Sequence, residues 1–166
     1  MEILSTERLH LRRVILGDAP DLYRLMNDKD WLLNIGDREV YSVKDAENYI
    51  ESKFDKTFEE KGFGFFAVTL KTNKEFIGIV GLVDRDGLDH VDIGYGILPE
   101  FRGKGYAYEA SKAIYDYGQR SLQIDKIVAI VNADNQPSIT VLKKLGLQFE
   151  KMIQLPDENK EIMLFS

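Results

Sequence analysis

Residues Val91–Ala107 read VDIGYGILPEFRGKGYA, and the fold turns on how this stretch is parsed. Val91, Ile93, Tyr95 and Ile97 alternate with Asp92, Gly94, Gly96 and Leu98. That is the period of a β-strand, whose successive side chains point to opposite faces. One face then offers a carboxylate beside two positions without side chains, a shallow floor for a ligand. A strand edge weakened or bulged by glycine accounts for the same letters. Pro99 ends the strand's run of donors. Arg102-Gly103-Lys104-Gly105-Tyr106-Ala107 then leads into a helical run, Lys104–Gln119, with Ala107, Ala110, Ala113, Ile114 and Tyr117 on one face. Glycines and a basic pair at a helix start suit an anion, because free N–H groups and the positive end of the helix dipole meet there. A polar turn that merely opens a helix is the plainer alternative. Neither GxxxxGK[ST] nor GxGxxG occurs, so neither of those phosphate-binding folds is indicated.

Toward the N-terminus, Phe65–Leu70 and Phe76–Val83 read as strands joined by the Lys71-Thr72-Asn73-Lys74 turn, a hairpin. Glu7–Val14 reads as an earlier strand. A helix follows, with Asp18 as N-cap, Pro20 in its first turn and Leu22, Leu25 and Met26 as its stripe. Trp31–Tyr41 is irregular. Ser42–Glu60 is a second helix, ended by Gly62 and Gly64. Toward the C-terminus, Gly118 falls where the long helix stops, and Lys126–Val131 is a short strand apolar on both faces. Asn135–Leu145 is a helix closed by Gly146, and Leu147–Leu155 and Glu161–Phe165 are final strands. The order β-αα-βββ-α-β-α-ββ predicts an α/β fold: one twisted, mixed, mostly antiparallel sheet of about seven strands flanked by about four helices. No linker, repeat or low-complexity segment divides residues 1–166, so a single domain is expected.

Composition narrows the chemistry. The chain has 166 residues and no cysteine, which removes disulfides, a thiol nucleophile and thiolate metal sites. Its two histidines, His10 and His90, lack ligand spacing, which argues against a zinc enzyme, and no metal is expected. A net charge of −6 disfavours a nucleic-acid partner and suits a cationic one such as an amine. No apolar run spans a bilayer and the first residues do not read as a signal peptide, so no membrane partner and a cytoplasmic location are expected. Nine of the 13 glycines fall between Gly62 and Gly105, around the segment quoted first.

That segment resembles the acetyl-CoA signature of the GNAT superfamily of N-acetyltransferases, Arg/Gln-x-x-Gly-x-Gly/Ala, met by Arg102, Gly105 and Ala107. More narrowly, the chain is similar to the RimJ/RimL-like branch, named for ribosomal-protein alanine and serine N-acetyltransferases. Four stretches carry the likeness in order: Thr6–Arg12, Asp92-Ile93-Gly94-Tyr95, Pro99–Ala110 and Asn135–Leu147. Together they span nearly the whole chain.

The resemblance implies acetyl-CoA as co-substrate. Its diphosphate would rest on the backbone of Arg102, Gly103, Lys104, Gly105, Tyr106 and Ala107, with Lys104 either adding charge or remaining a solvated lysine. Its pantetheine arm would pair with Ile97 and Leu98 where this strand splays from Lys126–Val131, and an N–H there would face the thioester oxygen. Asp92 stands where the branch usually has Glu. It would be the general base, or else a structural or orienting carboxylate. Many superfamily members place a Tyr acid where this chain has Leu142; Ser138 would instead bond the sulfur, unless it is only a first-turn hydroxyl. Asn135 would both cap its helix and serve the cofactor or a water. Gly96 stands where the branch often has Trp, which implies a more open acceptor side. Trp31, Asn34, Asp37, Arg38 and Tyr41 would build the acceptor pocket. Glu109 reads as a surface or helix-packing residue.

The expected activity is direct acetyl transfer to a primary amine, of a small molecule or a protein N-terminus, in a ternary complex; a homodimer is expected by analogy. The rival is a non-catalytic acyl-CoA-binding sensor. Loss of turnover on substituting Asp92 or Ser138 separates the two.

Overall fold

The computed structural model describes residues 2–166. Strands β1 (Glu2–Ser5), β2 (Leu9–Arg13), β3 (Phe65–Leu70), β4 (Phe76–Val83), β5 (Val91–Ile97), β6 (Ile127–Val131), β7 (Phe149–Ile153) and β8 (Ile162–Phe165) form one sheet in the order β1-β2-β3-β4-β5-β6-β8-β7. Every neighbouring pair is antiparallel except β5–β6. The helices are α1 (Ala19–Met26), α2 (Lys29–Asn34), α3 (Val43–Tyr49), α4 (Lys56–Lys61), α5 (Tyr106–Arg120) and α6 (Gln136–Lys144). A π-helical turn, Ile50–Asp55, joins α3 to α4. Ser42, which caps α3 by accepting from Asp45 N, thus opens one helical run to Lys61, close to the expected second helix. Among the described residues no helix is long and apolar enough to cross a membrane.

The strand alternation fills two cores. Leu9, Leu11, Phe66, Val80 and Ile93 pack with Ile114 of α5 and Ile139 of α6. Leu22, Leu25, Trp31, Ile50 and Phe54 of the N-terminal helices pack with Ala67, Ile79 and Leu98. Each fully buried aliphatic side chain contributes about 1.5–3 kcal/mol, so two apolar faces hold the sheet between its helical layers.

Four expectations are corrected. The sheet has eight strands, because Glu2–Ser5 pairs with β2, a segment too short for its alternation to register in the sequence. Trp31–Tyr41 is not all irregular: α2 runs through Asn34, capped by Asp28, which accepts from Asp30 N and Trp31 N. Asp18 holds the N-cap position of α1 as expected, but its side chain makes no cap bond; its buried carboxylate accepts from Ile15 N at 2.9 Å and from both Arg12 Nη atoms at 2.8 Å. Gly118 does not terminate α5. It lies inside the helix, where a Cβ would stand 2.8 Å from Ile127 Cδ1 and 2.9 Å from Leu82 Cδ1, so it lets α5 approach the sheet.

The feature that matters for function is the end of the parallel ladder. β5 and β6 register only at Val91↔Ile127 and Asp92↔Val128. β5 continues along β4 to Ile97, while β6 turns its other edge to β8 over Ala129–Val131. Beyond Asp92 the two strands part. The β4 side of this region is tightly fixed: a Cβ at Gly78 would be driven into the Gly96 carbonyl and would stand 3.0 Å from Ile97 Cα. Gly78→Ala is expected to cost about 2–3 kcal/mol in urea unfolding, because backbone must move. Gly17→Ala, where a Cβ meets only Ile15 at 3.7 Å, is expected to stay within about 1 kcal/mol of wild type.

Candidate active site

The gap between β5 and β6 has a backbone edge along one side. Leu98 N–H donates to Ile77 O at 2.8 Å, whereas Ile97 stands opposite Gly78. Hydrogen-bonded and non-bonded pairs alternate along an antiparallel ladder. Ile97 and Tyr95 therefore turn their N–H and C=O groups away from β4 and toward the gap, where β6 no longer pairs. Of the two residues expected to offer an N–H there, Leu98 is corrected: its donor is used within the sheet and its side chain is fully buried. Ile97 keeps its N–H on the open edge, while its carbonyl accepts from Arg102 Nε at 2.9 Å.

At the end of that edge lies the Arg102–Ala107 loop. Gly103 and Gly105 have φ of 75° and 83°, a left-handed backbone that glycine adopts freely. Among the described residues no N–H from Gly103 to Tyr108 donates to a carbonyl outside a regular element or to a side chain, as the first turn of a helix leaves them. Lys104 extends over the Phe101 ring, 5.7 Å from its centroid. Arg102 points away from this loop. Its guanidinium meets Asp28 Oδ2 at 2.5 Å and Asp30 Oδ2 at 2.6 Å, at the start of α2. Burial pushes the Asp28 carboxyl up, but the Arg102 bond and charge, with two backbone N–H groups, hold it below the ordinary range. The signature arginine thus ties the loop to α2.

Helix α2 crosses the sheet face that carries Asp92, Gly94 and Gly96. At its far end Asn34 O and Oδ1 accept from Asn132 Nδ2, at 3.4 and 3.5 Å, just beyond β6. Between these ends Trp31, only 7% exposed, lies over Gly96; a Cβ there would stand 2.6 Å from the indole ring. This corrects the expectation of a more open acceptor side at Gly96, because an aromatic from another element fills it. It also takes Gly96 out of the shallow floor expected for a ligand. A Cβ at Gly94 would meet only the Phe65 ring, at an ordinary 3.8 Å. Arg38 is exposed, and its charge, like that of Arg85, acts on the buried Tyr49 hydroxyl. Tyr41 is 61% exposed and donates to Asp37 at 2.7 Å, so its hydroxyl holds the loop's own shape.

Asp92 is 1% exposed. Its Oδ2 accepts from Arg85 Nη2 at a long 3.4 Å, and Oδ1 has no partner among the described residues. Arg85 Nε and Trp31 Nε1 are likewise buried without partners. Burial pushes the Asp92 carboxyl above its ordinary range, against the charge and hydrogen bond of Arg85. A buried carboxylate with an open lone pair and a single loose cation is poised to take a proton. On the other face of β5, the Tyr95 hydroxyl and Ser138 Oγ are 2.8 Å apart. That pair joins β5 to the first turn of α6, where Asn135 Oδ1 caps Ser138 N at 3.4 Å. Sequence reasoning picked Ser138 and Asn135 but missed Tyr95 and Arg85. It also missed that Glu109, taken for a surface residue, accepts from Thr6 and Arg8 beside the glycine loop. Tyr95 and Glu109 meet partners far along the chain, whereas Arg85 reaches Asp92 across the short β4–β5 connection.

A model of the Acetyltransferase (GNAT) domain matches residues 8–148. N-acetyltransferase p20 of Bacillus licheniformis, itself described as uncharacterised, is 33% identical over 156 residues, 93% of this chain and 86% of that protein. Spermidine N(1)-acetyltransferase of Escherichia coli (strain K12) is 33% identical over 101 residues, 58% of this chain and 52% of that protein. A solved structure of RimL, a ribosomal L7/L12 α-N-protein acetyltransferase in complex with coenzyme A, shares the fold. Its TM-score is 0.81 at 18% identity, over 99% of this chain and 96% of that one. With an open strand edge running into a glycine loop, a domain match over residues 8–148 and a relative 33% identical over 93% of its length, the chain belongs to the GNAT acetyltransferase family and is an N-acetyltransferase.

Proposed function

We propose that the enzyme moves the acetyl group of acetyl-CoA directly to a primary amine, of a small molecule or a protein N-terminus, in a ternary complex. The observation that carries this reading is continuity: the unpaired edge of β5 leads into the free N–H groups of Gly103–Tyr108. The two together suit a ligand with an amide-bearing arm and a diphosphate. The arm pairs with Tyr95 and Ile97 as an added strand, and the diphosphate rests on the loop and the α5 dipole. Coenzyme A bound to the structurally similar RimL supports that choice.

The residues then divide the chemistry. An aliphatic amine has a pKa of roughly 10 and arrives protonated, whereas attack needs its lone pair. Asp92 takes the proton, directly or through one water, as the ammonium displaces Arg85. The amine nitrogen bonds to the thioester carbon, whose oxygen gains charge, and the N–H of Ile97 or Tyr95 stabilises that oxyanion. The carbonyl re-forms as the C–S bond breaks, the nitrogen gives up its remaining extra proton, and the departing thiolate takes it up to leave as the thiol, passed on by the Ser138 hydroxyl that Tyr95 orients. The absence of cysteine leaves the coenzyme's sulfur as the thiol of the reaction. Spermidine and the ribosomal protein L7/L12, the acceptors named for two similar proteins, are consistent with an acceptor amine here.

Acetyl-CoA at about a hundredfold excess over its Kd should add about 2.7 kcal/mol of stability, roughly 5–10 °C in melting temperature. Gly105→Asp, which puts bulk and negative charge at the diphosphate, should abolish that shift; an unchanged shift would refute the cofactor placement. Asp92→Asn should lower kcat about 10²–10⁴-fold and flatten the acid limb of the pH–rate profile. The sign follows from the carboxyl: it works ionised, so activity falls as pH drops through its pKa, which burial sets above the ordinary range. Arg85→Met removes the cation that opposes burial, so its limb should move to higher pH with the alkaline plateau kept.

A further inference from the structure

The approach to β2 ends beside the glycine loop. Arg8 Nη1 donates to Lys104 O at 2.9 Å and Arg8 Nε to Glu109 Oε2 at 2.7 Å. Arg8 N and Thr6 Oγ1 donate to Glu109 Oε1 at 2.8 and 2.6 Å. The guanidinium lies over the Tyr106 ring, 4.3 Å from its centroid. Arg8 Nη2 stands 3.3 Å from where a Cβ on Gly105 would be. One arginine thus touches Lys104, Gly105, Tyr106 and Glu109. Glu109 stays charged to hold it: burial pushes its carboxyl up, but Thr6, the Arg8 N–H and the Arg8 guanidinium hold it below the ordinary range.

We propose that Arg8 is a positioning residue for the diphosphate loop, an inference that rests on the cofactor reading above. In a trans peptide the carbonyl oxygen and the following N–H point in opposite directions. Drawing Lys104 O toward Arg8 therefore sends the Gly105 N–H the other way, out of the loop. Without that anchor the 104–105 peptide is free to rotate, and the row of donors loses its alignment. The charge of Arg8 is matched by Glu109, so its contribution is the geometry of the fork: two nitrogens in fixed relation, one on the loop and one on the helix. Glycine at 105 also leaves the guanidinium its place, since a Cβ there would stand 3.3 Å from Arg8 Nη2 and make it give by a few tenths of an ångström.

The test compares two variants and two ligands. Arg8→Lys keeps the charge and loses the fork; Arg8→Met loses both. Affinity for acetyl-CoA is measured by calorimetry, and the melting-temperature shift with millimolar S-acetyl-pantetheine, which lacks the diphosphate, is measured alongside. Both variants should bind acetyl-CoA roughly tenfold more weakly or worse, the scale of one lost charge-assisted hydrogen bond, and should respond to S-acetyl-pantetheine as wild type does. Wild-type affinity in the Lys variant would make Arg8 a charge and overturn the positioning role. Equal losses for both ligands would make it a general fold contact and also overturn it. Should the Met variant not fold, the Lys variant decides. Failure of the cofactor reading itself is distinct: wild type would give no calorimetric response to acetyl-CoA.

Discussion

The structure depends on one interruption, the parting of β5 from β6 after Asp92↔Val128. A strand edge with unpaired N–H and C=O groups is costly when buried and prone to pairing when exposed. Here it is confined. β4 fixes one side of β5 through register from Gly78↔Ile97 to Val83↔Asp92, and β8 occupies the outer side of β6. Neither strand is free to close the gap without giving up a ladder already formed. The Tyr95–Ser138 hydroxyl pair and the Asn135 cap set the distance between β5 and α6 on one face. Helix α2 spans the other. The opening is therefore a fixed property of the fold, and it needs no ligand to hold it apart.

The parts around this opening share partners. Arg102 touches Ile97 O on the open edge and Asp28 and Asp30 at the start of α2, while Asp28 also caps the N–H of Trp31. From the loop to the indole over Gly96 the path is three side chains long. A shift of the loop is felt at Trp31, on the face that carries Asp92. Arg8 and Glu109 hold the loop from the opposite direction, through a helix packed on the other core. The loop is thus fixed from both layers of the molecule, which suits a site that must present aligned backbone donors rather than mobile side chains.

Much of this was legible in the sequence because it is local. β3 and β4 fall where alternation puts them, and Gly62, Gly105, Asn135 and Gly146 mark helix ends by their own chemistry. The strand–Pro–glycine loop–helix run pointed to an anion site, whereas the splay of β5 from β6 was implied only by the family resemblance. What was not legible depends on partners far along the chain. Asp18 has the letter of an N-cap, but Arg12 offers it a better bond. Glu109 has the letter of a solvated helix residue until Thr6 and Arg8 arrive from a hundred residues away. Gly96 reads as open space, because nothing in its neighbourhood announces that Trp31 covers it. Leu98 and Ile97 look equivalent until register decides which one faces the gap.

The net charge of −6, a weak pointer to cationic acceptors, acquires a more specific form at Asp92. Carboxylates scattered over a surface select nothing. A single carboxylate at 1% exposure, held by one guanidinium at 3.4 Å and with a second oxygen unpartnered among the described residues, is, on the proposed reading, where one cation is exchanged for another. A tight, fully satisfied pair would resist such exchange, because removing its partner leaves a buried charge alone. On the proposed reading, Arg85 stands in for the acceptor when no amine is bound and yields to it when one arrives. Selectivity among amines then falls to the aromatic side chains over the same face of β5: the indole of Trp31 at Gly96 and the Phe65 ring at Gly94, drawn from α2 and β3.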